Sequence, residues 1–126
     1  YKKNNIKNYV FEFDNDLLKL FLSANLAIAR CGASSTAELM QTFTPFIAVP
    51  LPNSADNHQY LNAKYYENKG CCWLVEQDSF NKENLYNLIM DVIKNKNKLE
   101  NIRENMKKNC KSHVYEEIEE KIKEYI

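Results

Sequence analysis

Three short apolar runs constrain this chain more than any other feature: "NLAIAR" at 25–30, "FIAVP" at 46–50 and "CCWLVEQ" at 71–77. The first two lack the apolar–polar alternation of a strand with one wet face and read as buried parallel strands. The second is stopped by Pro50 and Pro52, and the third reads as a further strand. Helical patterns separate them. "SSTAELMQTF" (34–43) has Ser34 or Ser35 as N-cap, with Glu38 spaced as a capping-box partner to Ser35. "LPNSADN" (51–57) is a loop leading into the helix "HQYLNAKYYENKG" (58–70), which Gly70 closes at its C-cap.

The flanks extend the alternation. "NYVFEF" (8–13) alternates aromatic and other residues and reads as a strand. "DNDLLKLFLSA" (14–24) reads as a helix, with Asp14 able to cap and Asp16 in its first turn. "NKENLYNLIMDVIKN" (81–95) carries Leu85, Leu88, Ile89, Val92 and Ile93 at amphipathic spacing. Charged helices over about 96–110 and 113–125 complete the chain, with breaks expected at Asn97 and Ser112. The order β-α-β-α-β-α-β-α-α-α predicts an α/β fold: a Rossmann-like parallel sheet with helices on both faces. Tyr60, Tyr65, Tyr66 and Trp73 read as packing residues.

Composition narrows the chemistry. Lys+Arg and Asp+Glu are both 17, so a formal net charge of zero gives no bulk attraction to nucleic acid. Cys31, Cys71, Cys72 and Cys110 form no CxxC pair and read as free thiols of a reducing compartment. His58 and His113 lie far apart without ligand-like cysteine spacing, so no metal or cofactor is expected. No apolar run approaches the roughly 20 residues of a membrane span. The chain starts at Tyr1 within a polar stretch, as an excised fragment would.

Ligands of such sheets bind at the carboxyl ends of the strands. That singles out three β–α mouths, at 13–16, 30–36 and 50–58. At the second, Gly32 permits close approach or positive φ. The N–H groups of Ala33, Ser34 and Ser35 at a helix start suit a phosphate or diphosphate. The hydroxyls of Ser34, Ser35 and Thr36 add donors, and Glu38 can take two hydroxyls of a ribose. From spacing alone the same residues read first as a simple capping box. At the third mouth Asp56, Asn57, His58, Gln59 and Asn62 gather hydrogen-bonding groups that suit a sugar, or else form a helix capped by Asp56 with a polar outer face. At the first, Phe13 and Asp14 are either a surface for a planar base or a core residue and a cap.

Together, "RCGASSTAEL" (30–39), the strand ending "FIAVPLP" and "DNHQYLNAKYYENKGCCWLVEQ" (56–77) resemble the carboxyl-terminal, donor-binding domain of the MurG family. Arg30, Gly32, Ala33, Glu38, Pro45, Pro50, Asp56, Gln59, Asn62, Ala63 and Gly70 match its motif in order and spacing. These bacterial inverting hexosyltransferases have the two-domain GT-B arrangement and need no metal. They move N-acetylglucosamine from UDP-N-acetylglucosamine to a lipid-linked muramyl-pentapeptide, the lipid I to lipid II step of peptidoglycan synthesis, at the inner face of the cytoplasmic membrane.

By resemblance, Ala33, Ser34 and Ser35 would hold the diphosphate, Glu38 the ribose, and the backbone around Phe13 and Asp14 the uracil. Gln59, with His58 beside it and Asn62 in support, would read the N-acetylglucosamine hydroxyls. Cys31 and His58 depart from the usual serine and glutamine. The resemblance implies that residues 1–95 are part of the donor-binding domain and 96–126 its helical tail. The lipid acceptor, the membrane contact and the general base would belong to an amino-terminal domain absent from this sequence, and the Gly-Gly-Ser loop that begins the donor domain is missing as well. No catalytic residue is expected in this chain, nor activity from it alone. A related UDP-N-acetylglucosamine 2-epimerase and a non-catalytic Rossmann-like binding module are the alternatives.

Overall fold

The computed structural model describes residues 4–10, 17–109 and 122–124. The elements run α1 (Leu17–Ser23), β1 (Ala27–Ala29), α2 (Ala33–Gln41), β2 (Phe46–Ala48), α3 (His58–Asn68), β3 (Cys72–Leu74), α4 (Lys82–Lys94) and α5 (Lys96–Asn109). Short 3-10 turns at Ala55–Asn57 and Gln77–Ser79 precede α3 and α4. The strands form one parallel sheet in the order β1-β2-β3. Ala27, Phe46 and Cys72 stand in register, as do Ala29, Ala48 and Leu74. Ladder bonds from Val49 N–H to Ala29 O and from Val75 N–H to Ala48 O continue the pairing past the strand ends. The carboxyl ends of all three strands therefore open on one edge of the sheet.

Phe46 and Ala48 project to one face, where they pack with Leu39 and Met40 of α2, Ala63 of α3, and Ile102 and Met106 of α5. Ile47, on the other face of β2, is also fully enclosed, so the central strand is covered on both sides. Such double burial is why the run reads as continuously apolar. Ile28 on β1 is 47% exposed, so the outer strand is less covered among the described residues.

α3 ends in a Schellman motif. Lys69 is the C-cap, and Gly70 follows with φ +72°. Gly70 N–H donates to Glu67 O, and Cys71 N–H to Tyr66 O, each at 2.9 Å. α5 lies against this turn: Asn105 Nδ2 donates to Gly70 O at 3.0 Å.

Several sequence expectations shift. Residues 8–10 of the expected first strand are irregular and exposed, and 11–13 lie outside the described residues. Asp14 and Asp16 lie outside them too. The break between α4 and α5 falls at Asn95, not Asn97, which is inside α5. Asn81 caps α4 by accepting from Asn84 N–H at 2.9 Å. Ser112 lies outside the described residues, and of the helix expected at 113–125 only 122–124 are described, as helix. Ile93 is 59% exposed rather than core. Tyr66 and Trp73 pack on the core, whereas Tyr65 is exposed, with Lys69 Nζ 5.1 Å from its ring centre.

Candidate functional site

The mouth between β1 and α2 differs locally from a capping box. α2 begins at Ala33, with Gly32 as N-cap at φ −66° and ψ 151° and no side-chain cap. Ser35 is therefore the third helical residue, and Glu38 lies three positions further, out of capping-box register. The first bond of the helix runs from Thr36 N–H to Gly32 O at 3.0 Å. The N–H groups of Ala33, Ser34 and Ser35 precede it and have no carbonyl of their own helix to meet. Ala33 and Ser34 are exposed and Ser35 half-buried. Glu38, also half-buried, has no side-chain hydrogen bond or ion pair among the described residues.

Gly32 has no need of positive φ, contrary to one sequence reading. A Cβ there would meet only Gln59 Nε2, at 4.0 Å. Thr36 also departs from expectation. It is fully buried, and its hydroxyl turns inward onto Gly32 O at 2.9 Å and Ala33 O at 3.2 Å. It offers no donor at the mouth.

The next mouth is built differently from a helix capped by Asp56. Asp56 and Asn57 are both left-handed, with φ of 52° and 56°, and Asn57 is the N-cap, without a side-chain bond. Ser54 Oγ accepts the Gln59 N–H at 3.3 Å. His58 is exposed, and its Nδ1 donates to Ala55 O at 2.7 Å, because a carbonyl can only accept. The Nε2 is then the ring's outward atom.

Three side chains stitch the mouths together. Gln59 Oε1 accepts from Cys31 N–H at 3.2 Å and from Leu51 N–H at 2.9 Å. Asn62 Nδ2 donates to Cys31 O at 3.0 Å and Thr36 Oγ1 at 2.9 Å. Arg30 Nη1 reaches Val49 O and Pro50 O at 3.4 and 3.3 Å. Sequence reasoning saw Gln59 and Asn62 as ligand groups and missed this bridging. Their spacing on one helix face was visible, but not that backbone groups near position 31 were within reach.

The structure thus brings Gln59 and Asn62 against the loop that leads into Ala33, Ser34, Ser35 and Glu38, with His58 at the start of the same helix. Phe13 and Asp14 lie outside the described residues. A small open cavity of about 180 Å³ adjoins at the ends of β2 and β3, lined by Pro50, Leu51, Asn57, Tyr60, Glu76 and Asp78 among others. Cys31, Cys71 and Cys72 are buried free thiols. Burial pushes the Cys31 thiol up to about 11 against the opposing pull of Arg30, and raises Cys71 and Cys72 as well. Such thiols are poor nucleophiles near neutral pH. Among the described residues no group of three or more His, Cys, Asp or Glu could hold a metal ion, and no helix is long and apolar enough to cross a membrane.

Comparison with known proteins shows the family. Residues 1–122 match the model of the glycosyltransferase family 28 C-terminal domain. The chain is similar to the UDP-N-acetylglucosamine--N-acetylmuramyl-(pentapeptide) pyrophosphoryl-undecaprenol N-acetylglucosamine transferase of Pelagibacter ubique, 40% identical over 96 residues, covering 76% of this chain and 27% of the relative. The protein of the same name from Rickettsia felis is 47% identical over 102 residues, covering 79% and 28%. The crystal structure of Acinetobacter baumannii MurG aligns with a TM-score of 0.72 at 26% identity, covering 89% of this chain and 33% of that one. The chain spans about a quarter of the length of these curated relatives.

Proposed function

The chain belongs to the glycosyltransferase family 28 C-terminal domains, and from that premise we propose that it is the donor-binding part of an inverting N-acetylglucosaminyltransferase. The donor would be UDP-N-acetylglucosamine and the acceptor a lipid-linked muramyl-pentapeptide, as the names of its relatives describe for those proteins. The observation that carries this reading is the uncapped start of α2 at the carboxyl edge of the sheet, with the unpaired Glu38 within the next two turns. Neither backbone conformation nor packing requires glycine at position 32. The space its missing side chain leaves suits a ligand lying over the helix start.

In this reading residues 1–95 form the donor-binding part and 96–126 the helical tail of the same domain, and the packing of Ile102 and Met106 on the shared core supports their belonging together. The N–H groups of Ala33, Ser34 and Ser35 bind the diphosphate, and Glu38 accepts from the ribose hydroxyls. Phe13 and Asp14 belong to the uracil side. His58 and Gln59 face the sugar, and Asn62 supports that side. Gln59 does so through its Nε2, since its Oε1 already serves two backbone N–H groups.

In the reaction the acceptor hydroxyl bonds to the anomeric carbon with inversion as the bond from that carbon to the phosphate oxygen breaks. The acceptor's proton passes to a base outside this chain. The departing UDP gains negative charge where the helix dipole and N–H groups already point, so the charge is stabilised without reorganisation. Acceptor binding and peripheral contact with the inner face of the cytoplasmic membrane fall to parts of the transferase beyond the stretch spanned here.

The test is to supply the intact protein with UDP-N-acetylglucosamine, with and without the lipid-linked acceptor. Transfer of sugar and release of UDP only when acceptor is present is the expected result. Epimerisation or UDP release without acceptor would replace this reading with that of a 2-epimerase. Inactivity under both conditions in a protein that binds no UDP would leave a non-catalytic module.

A further inference from the structure

Thr36 is the fully buried centre of the polar network beneath the α2 start. Gly32 O receives both its N–H, at 3.0 Å, and its hydroxyl, at 2.9 Å. The same hydroxyl oxygen accepts from Asn62 Nδ2, which also holds Cys31 O. The two carbonyls immediately before the helix are therefore both fixed from below.

A trans peptide is planar, and its C=O and N–H point in opposite directions. Fixing Cys31 O thus aims the N–H of Gly32, and fixing Gly32 O aims the N–H of Ala33. Resting on the donor-site reading above, we propose that Thr36 is a positioning residue for the diphosphate. With Asn62, it orients the peptide planes on either side of Gly32 and so aims the Ala33 N–H, the first of the three donors, at the ligand, without touching the ligand itself. Its hydroxyl is the only group on its own helix that joins the Gly32 carbonyl to the Asn62 amide among the described residues. A bond from a helical threonine back to the carbonyl four residues earlier slightly disfavours a helix. Its presence here, in the first turn, is consistent with a role other than helix stability.

The effect is confined to the phosphates, which gives a readout that general loss of structure would not produce. In the intact protein, the affinities for UDP and for uridine are measured by calorimetry in the wild type, Thr36→Val, Thr36→Ser and Thr36→Ala, with melting temperature recorded for each. Valine keeps the shape but removes the hydroxyl; serine keeps the hydroxyl; alanine removes it with less bulk and is the second variant should valine fail to fold. The expected result is a loss of roughly fivefold to twentyfold in UDP affinity for Thr36→Val, on the order of one charged hydrogen bond weakened by misalignment. Uridine affinity stays within twofold of wild type, serine stays within twofold for both, and alanine shows the same selective loss.

UDP affinity equal to wild type in the valine or alanine variant overturns the role of Thr36. Parallel loss of UDP and uridine overturns it as well. A wild-type protein that binds UDP no better than uridine overturns the donor-site reading itself, a separate failure.

Discussion

Gln59 separates a structural from a ligand-reading role in a single side chain. Its Oε1 is the acceptor for two backbone N–H groups on different mouths. The Cys31 N–H belongs to a fully buried residue, and Gln59→Leu leaves that N–H without an acceptor, which costs about 1–3 kcal/mol. Leu51 is 45% exposed, so water replaces the second bond for about 0.5 kcal/mol or less. The sum is about 2 kcal/mol of lost stability. Gln59→Glu keeps an oxygen in the same place and holds both bonds, so it changes stability by about 0.5 kcal/mol or less. It nevertheless removes the amide donors and adds negative charge beside the proposed diphosphate site. Urea unfolding of the intact protein, paired with UDP-N-acetylglucosamine titration, reads both quantities. Leucine lowers stability and donor affinity, whereas glutamate lowers donor affinity alone. Equal loss of stability in the two variants, or a leucine variant as stable as wild type, would refute the bridging argument.

Gly70→Ala forces a side chain into a left-handed position at a strain of about 1–2 kcal/mol. Its Cβ would lie 2.5 Å from Asn105 Nδ2, displacing that side chain and its bond to Gly70 O for about 1 kcal/mol more. In an Asn105→Ala background only the strain remains, so a double-mutant cycle by urea unfolding yields a coupling of about 1 kcal/mol; none would contradict the close approach of α5. The buried Cys31 thiol titrates near 11 when folded, above its ordinary value of 9.0, so its contribution to stability is full below about pH 9 and lost as pH rises toward 11. Thermal melts from pH 8 to 11 fall less steeply in Cys31→Ser than in wild type; equal slopes would show that the thiol reaches solvent.

The strands and most helices were legible because burial on both faces leaves continuous apolar runs, as Ile47 and Ala48 show. Gly70 was legible as a helix stop, since a left-handed C′ position favours glycine over other residues. The helix starts were not. Ser35 and Glu38 have the spacing of a capping box, but Gly32, in extended conformation, is the N-cap three residues before Ser35, and the box falls out of register. Asp56 looked like a cap, yet it takes a left-handed conformation before Asn57 does the same. Other departures belong to tertiary contacts. Gln59 reaches Cys31 N–H, Asn62 reaches Cys31 O and Arg30 reaches Val49 O and Pro50 O, backbone groups 19 to 31 residues away in sequence. No local pattern encodes such pairings. The bond from Asn62 to the Thr36 hydroxyl is likewise a contact between separate helices. The candidate site was therefore readable as a set of residue types at the right mouths, and not as the network that holds them.

The central claim is that the start of α2 and Glu38 form the nucleotide half of a sugar-donor site. Calorimetric titration of the intact protein with UDP-N-acetylglucosamine, wild type against Glu38→Ala, tests it most directly. Loss of the carboxylate's bonds to the ribose, at about 1.5–3 kcal/mol for hydrogen bonds to a charged group, predicts affinity weakened roughly tenfold to a hundredfold with the melting temperature of the unliganded protein unchanged. Undiminished affinity in the alanine variant would contradict the placement of the ribose, and with it the donor site described for this chain.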